Sequence, residues 1–244
     1  MAKRSAGWLA GWALALVLAA VMAMLGNWQA GRAVQKERLL QAAGEVLEAR
    51  EPRPLALAAD PLRADRLDWA AGSGRFVDAP AILLDNQLRE GRPGVRAYRL
   101  FDSGAPEWIL VELGWLAMPG DRSLPRVDRP EGEFELGGLL AAPPSAGLAL
   151  GEALASRGEA LLAMRLDLDA LEREVSHPVA SRVLRLDPSL PLGYERDLDL
   201  LPNTLTPDRH RGYALQWYGL AATVLVIAVL LTVRALRRTR RNPK

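Results

Sequence analysis

Two histidines and no cysteine occur in the 244-residue chain. Imidazole chemistry therefore has two possible seats, and thiolate chemistry has none. His177 precedes Pro178 in a polar stretch and reads as a solvated loop residue. His210 has a different setting, because Tyr213 and Trp217 follow it at offsets of three and seven, on one helical face. An imidazole beside flat aromatics at the mouth of an apolar helix could ligate the iron of a haem lying in a membrane interface. The same residues could equally cap or anchor that helix among interfacial aromatics. Trp28-Gln29, with Arg32 close by, mirrors Gln216-Trp217 near the other end of the chain. The Arg32 guanidinium would suit carboxylates such as haem propionates, since it can pair with them bidentately.

Other chemistry finds little support. Gly72-Ser73-Gly74 lacks the Gly-x-Ser-x-Gly frame of a nucleophile elbow and reads as a turn. No glycine-rich phosphate loop opens a helix, and no His-x-x-x-His pair offers metal ligands. Carboxylates are scattered, so no acid–base pair stands out. The expectation is a protein that is not an enzyme and has no catalytic residues.

The elements that must position these residues are two long uncharged stretches, one near each end. Each is long enough to cross a bilayer, which takes about 20 apolar residues. The expected organisation is a transmembrane helix over 6–28, a central domain over 29–209, a second transmembrane helix over 211–233 and a basic tail over 234–244. In antiparallel spans Trp28 and Gln29 would face Gln216 and Trp217 at similar depth. Trp28, Gln29 and Gln216 are thus expected to pair the helices, because an amide in hydrocarbon is costly without a partner. Gly7 and Gly11 form a small-xxx-small pattern, a weak sign of close helix contact. A cleaved signal peptide is the alternative for the first stretch, given Val21-Met22-Ala23, but the apolar run exceeds the usual length of about 7–15 residues.

Charge fixes the expected orientation. Lys3 and Arg4 precede the first stretch, and Arg234, Arg237, Arg238, Arg240, Arg241 and Lys244 follow the second. These tails hold 8 of the 31 basic residues and none of the 29 acidic ones, leaving 23 basic against 29 acidic between them. The net charge of +2 thus belongs to the tails and marks no nucleic-acid-binding face. Basic flanks stay cytoplasmic, so both termini are expected inside and the domain outside. Without the bias of an organelle transit peptide, the expected location is a bacterial inner membrane, with the domain in the periplasm and membrane lipid as one partner.

Between the spans, residues 30–50 read as a polar helix stopped by Pro52 and Pro54. Strands are predicted over 66–77, 81–85, 95–101, 108–116, 134–141, 160–166 and 182–186, with a short helix over 167–175. Turn signals stand at Asp85-Asn86, Arg92-Pro93-Gly94, Ser103-Gly104, Pro119-Gly120 and Pro143-Pro144. The expected fold class is a membrane protein with two transmembrane helices flanking one periplasmic β-rich (α+β) antiparallel domain, either a barrel or a sandwich.

Several segments together resemble the Surf1 family of cytochrome c oxidase assembly factors. Leu25-Gly26-Asn27-Trp28-Gln29, with Arg32 and Lys36, is similar to the family's first-helix signature. The run from His210 through Tyr213-Ala214 and Trp217 to Ala221 resembles its second-helix signature. Gly74-Arg75-Phe76 and the segment ending in Gly114-Trp115 resemble its strand motifs, although Glu112-Leu113 stands where the family has Asn-Arg. The resemblance implies assistance in inserting or retaining haem a in the catalytic subunit of a haem-copper oxidase. It implies transient haem a contact at His210, with Trp217, Tyr213 and Arg32 nearby. The implied partners are that catalytic subunit and, as a further candidate, haem A synthase. The alternative is a scaffold that binds no haem and stabilises the oxidase subunit while the cofactor enters.

Overall fold

The computed structural model describes residues 2–121, 123–144, 151–201 and 204–241. Residues 242–244 of the expected basic tail lie outside the described residues, as does part of the stretch after Pro143-Pro144. The chain divides into two units, residues 1–41 with 204–244 and residues 42–203.

The first unit is an antiparallel helix pair. Helix α1, Ala2–Ala49, contributes its first 40 residues, and helix α3, Pro207–Arg241, contributes its whole length. Both helices are long and apolar enough to cross a membrane, with most of their apolar side chains uncovered. A soluble core helix would bury that surface. The covered residues are small except for His210, and most fall at intervals of seven: Ala19, Gly26 and Ala33 on α1, with Ala15 one turn before them, and Ala214 and Ala221 on α3. That spacing is the seam of a left-handed helix pair, and small residues there let the backbones approach.

Helix α1 ends at Ala49, where Arg50 takes the left-handed conformation at φ +43° and its Nε donates to Leu47 O. Pro52 and Pro54 then prevent resumption. In the second unit a two-residue strand β1, Arg53–Pro54, precedes β2, Asp68–Phe76; β3, Ala81–Arg89; β4, Arg92–Asp102; and β5, Trp108–Ala117. Next come β6, Phe134–Ala141; β7, Leu154–Arg157; β8, Ala160–Ala163; helix α2, Leu168–Val175; and β9, Val179–Leu186. The strand order is β1-β2-β6-β9-β5-β4-β3-β8-β7, and β2 pairs again with β4. Strands β2, β6, β9, β5 and β4 therefore close a ring, with β3, β8 and β7 extending from it.

All five ring strands supply one core, represented by Phe76, Leu140, Leu184, Val111 and Phe101. The opposite face carries Ile82, Tyr98, Leu100, Leu110 and Val183, covered by Leu171 of α2. Strand alternation makes this division, because neighbouring residues such as Leu100 and Phe101 point to opposite faces. Asp167 caps α2 by accepting from Ala170 N at 3.0 Å.

Two expectations are corrected. The sheet is mixed rather than antiparallel: β1–β2, β3–β8 and β5–β9 run parallel. The β5–β9 and β3–β8 pairings join strands distant in sequence, which local patterning does not register. Asp85-Asn86 is also no hairpin turn. It is an irregularity inside β3, with Asn86 at φ +58° and its N–H bonded to Asp85 Oδ1. The chain reverses at Glu90 and Gly91, both at positive φ as a tight two-residue hairpin requires, and Pro93-Gly94 already belongs to β4.

Candidate functional site

The start of α3 is built with care for its free amides. Arg209 N–H reaches Thr206 Oγ1 at 3.4 Å, Pro207 opens the helix where no amide is needed, and Asp208 lies in the first turn. This start is tied to α1 by Lys36, whose ammonium donates to Leu205 O and to Thr204 Oγ1, the latter at 3.2 Å. Arg211 also pairs with Glu37. His210 follows one turn into α3, against α1.

There His210 Nδ1 lies 2.6 Å from Gln29 Oε1. An amide oxygen can only accept, so Nδ1 is the donor and the neutral ring keeps its lone pair on Nε2. Nε2 has no hydrogen-bond partner among the described residues. Two turns along, Tyr218 Oη donates to Asn27 Oδ1 at 2.5 Å, and its ring lies against Gly26. A Cβ on Gly26 would meet Tyr218 Cε1 at 2.7 Å, so the backbone there accommodates only glycine without movement. At the far end Trp12 Nε1 donates to Thr232 Oγ1 at 3.0 Å.

The sequence-expected residues fall as follows. His210 is buried and Gln29 half-buried, and they meet each other. Gln216 is exposed and Trp28 is 57% exposed, and neither shares a hydrogen bond with the facing helix. Trp217 is half-buried and Tyr213 exposed. Arg32 is exposed, with Nη1 on Gln35 Oε1 at 3.2 Å. It lies on the stripe that runs from Gln29 to Lys36. Asn27, Tyr218, Glu37 and Arg211 are contacts that motif reading missed. The signal available for them was the seven-residue spacing of Ala19, Gly26 and Ala33, which places Asn27 beside the seam. His177 stacks on Trp108, with ring centroids 3.7 Å apart and planes 7° from parallel. No group of three or more His, Asp or Glu that could hold a metal occurs among the described residues.

The strand motifs prove structural. Gly114 has φ +125°, and a Cβ on it would meet Tyr194 O at 2.8 Å, so it lets residues 194–195 lie across β5. Trp115 N–H then donates to Glu195 O at 2.7 Å, and Trp115 Nε1 donates to Gln87 O at 3.0 Å. Glu112 is buried and accepts from Arg96 at 2.9 Å and from Arg185 at 3.1 Å. Asp68 is likewise held by Arg63 and by the fully buried Arg182, the latter at 2.6 Å. The Arg63 hydrogen bond is the main cause that keeps the Asp68 carboxyl below the ordinary carboxylate range, and Arg182 adds to it against the effect of burial.

Two apolar helices, paired through an imidazole–amide bond, bracket in sequence a domain whose buried charges serve its own packing. These features describe two long apolar helices, each long and apolar enough to cross a membrane, at either end of a sheet-rich domain. The chain belongs to the SURF1 family, whose model matches residues 16–222 and so takes in both halves of the paired motif. The family is one of cytochrome oxidase assembly factors rather than of catalysts. No curated protein matches the chain.

Proposed function

We propose that this protein is a two-span membrane chaperone that holds haem a for the catalytic subunit of a haem-copper oxidase. The observation that carries the reading is the hydrogen bond from His210 Nδ1 to Gln29. Iron-ligating histidines typically donate their second ring nitrogen to an oxygen, which fixes the tautomer and orients the ring. Here that arrangement leaves Nε2 as the available donor atom. It requires both end motifs at once, and the donor chemistry therefore fits a haem iron. Haem a, when bound, would supply an iron that the His210 imidazole could ligate.

The chain's own residues divide the remaining work. Gln29 holds the His210 ring, while Lys36 and the Arg211–Glu37 pair hold the start of α3. Arg32 offers guanidinium N–H groups to carboxylates on the same stripe as Gln29. Trp217 and Tyr213 offer flat apolar surface on the His210 side of α3.

In this proposal the two helices cross a bacterial inner membrane over 6–28 and 211–233. Both termini are cytoplasmic, and the domain is periplasmic with His210 at the outer interface. The basic residues flanking the helices support that orientation. A reporter fused after Lys244 is expected to read cytoplasmic, and a periplasmic reading would overturn the topology. Haem A synthase is the proposed source of the cofactor, and no substrate bond is made or broken.

The scaffold reading is favoured by a different observation: His210 is only 6% exposed, as for a residue that locks two helices. The discriminating experiment is complementation of a deletion strain with His210→Ala. The haem-chaperone reading predicts normal association with the oxidase subunit and reduced haem a in it. Full haem a content with His210→Ala would leave the scaffold.

A further inference from the structure

Three arginines of the sheet unit are almost fully covered, and two of them have an acidic partner. Arg182 is held by Asp68 and Arg185 by Glu112. Arg99, on β4, is the exception. It is 8% exposed, and no carboxylate lies within ion-pair distance among the described residues. Its Nη1 donates to Ala79 O at 2.9 Å and its Nη2 to Val127 O at 2.5 Å, while Nε is buried with no partner. A guanidinium has five N–H groups, so most of its donor capacity is unspent. Burying such a cation with no countercharge is costly. Burial accordingly is the main cause that holds the Arg99 pKa below its ordinary value.

Arg99 lines a cavity of about 300 Å³. Arg126, Arg129 and Arg157 also line it, against Asp128 and Glu159. Asp128 is bonded to Arg126 at 2.9 Å, with both side chains 81% exposed. The carboxylate facing Arg129 is Asp78, 3.5 Å away and 93% exposed, where screening by water is strong. Arg157 has no ion pair among the described residues. The cavity thus combines a buried cation short of acceptors with exposed arginines whose acidic neighbours are themselves well solvated, so that Arg99 is its uncompensated charge, and it is of a size that admits a small ligand.

We infer that this cavity is a binding site for a small oxyanion, a carboxylate or a phosphate, with Arg99 donating from the floor and Arg129 and Arg157 from the rim. The bonds to Ala79 and Val127 fix the guanidinium before the anion arrives, so little side-chain entropy is lost on binding. The site is independent of the haem reading and draws on none of its residues.

The test is thermal unfolding of the full chain in detergent, followed by tryptophan fluorescence. Sodium phosphate and sodium citrate are titrated separately against sodium chloride at matched ionic strength. The expected result is a saturable rise in Tm with at least one of the two oxyanions, and the one that saturates first identifies the class. Arg129→Gln/Arg157→Gln, at exposed positions, should raise the half-saturation concentration about ten-fold, the scale of a lost charge-assisted hydrogen bond. Glu159→Gln should lower it, because it removes a repelling carboxylate. Either no rise beyond that with chloride, or a rise unchanged in both variants, would overturn the proposal.

Discussion

Gln29 and His210 lie 181 positions apart and are joined by one hydrogen bond of 2.6 Å. Each belongs to a different end motif, and each explains what the other is doing beside an apolar stretch. The amide satisfies the imidazole, the imidazole satisfies the amide, and the bond selects Nε2 as the free nitrogen. Asn27 and Tyr218 repeat the pattern about two turns away. The two signatures are one structural unit divided between the ends of the chain.

Helix pairing should therefore depend on Gly26. A methyl group there would lie 2.7 Å from the Tyr218 ring, and relief requires the ring to move away from Asn27. Gly26→Ala is expected to destabilise the pair by about 1–3 kcal/mol, as overpacking does. Gly26→Ala/Tyr218→Ala should recover part of that loss. Thermal unfolding of the full chain in detergent measures both, and an unaffected single variant would mean the helices do not pack at this point.

The buried Glu112 should matter more for stability than its place in a strand motif implies. Removing it leaves Arg96 and Arg185 facing each other with no acid between them. Glu112→Ala is expected to cost about 3–5 kcal/mol, the usual effect of stripping one partner from a buried ion pair. Glu112→Gln, which keeps acceptor capacity, should cost less. Denaturation midpoints of the two variants provide the comparison, and equal costs would show that the lost charge accounts for the whole effect and the retained acceptor for none of it.

Acid should loosen the domain in part through Asp68. Its carboxyl titrates below the unfolded value of about 3.9. A depressed carboxylate contributes stability that is fully present above the unfolded pKa and is lost as pH falls through the folded one. Wild type should therefore lose stability below about pH 4 more steeply than Asp68→Asn, which starts lower but lacks this titration. Parallel pH profiles for the two proteins would remove Asp68 from the acid response.

Much of this was legible in the sequence. The apolar stretches announced themselves by length, and the strand over 134–141 was bounded correctly by its alternation and flanking turns. A helix start at Asp167 or Asp169 was readable for the same local reason, and Asp167 is the residue that caps α2. The parallel pairings were not legible, because β9 joins β5 across about 70 intervening residues, and no local pattern encodes that partner. Nor was the partner of Gln29. Symmetry of the two Trp–Gln pairs pointed to Gln216, whereas the facing residue depends on helical phase, and Gln216 lies on an exposed side of α3. The Glu112 departure from the motif made sense only with Arg96 and Arg185 beside it.

The most direct test of the central claim is the absorption spectrum of the purified protein after co-production with the haem A biosynthetic enzymes. Wild type, His210→Ala and Gln29→Leu are compared. The account predicts a haem a band in wild type and none in His210→Ala. It also predicts an affinity about 10–100-fold weaker in Gln29→Leu, as for loss of the group that orients a ligand. A wild-type protein with no band, or a band that persists in His210→Ala, would contradict it.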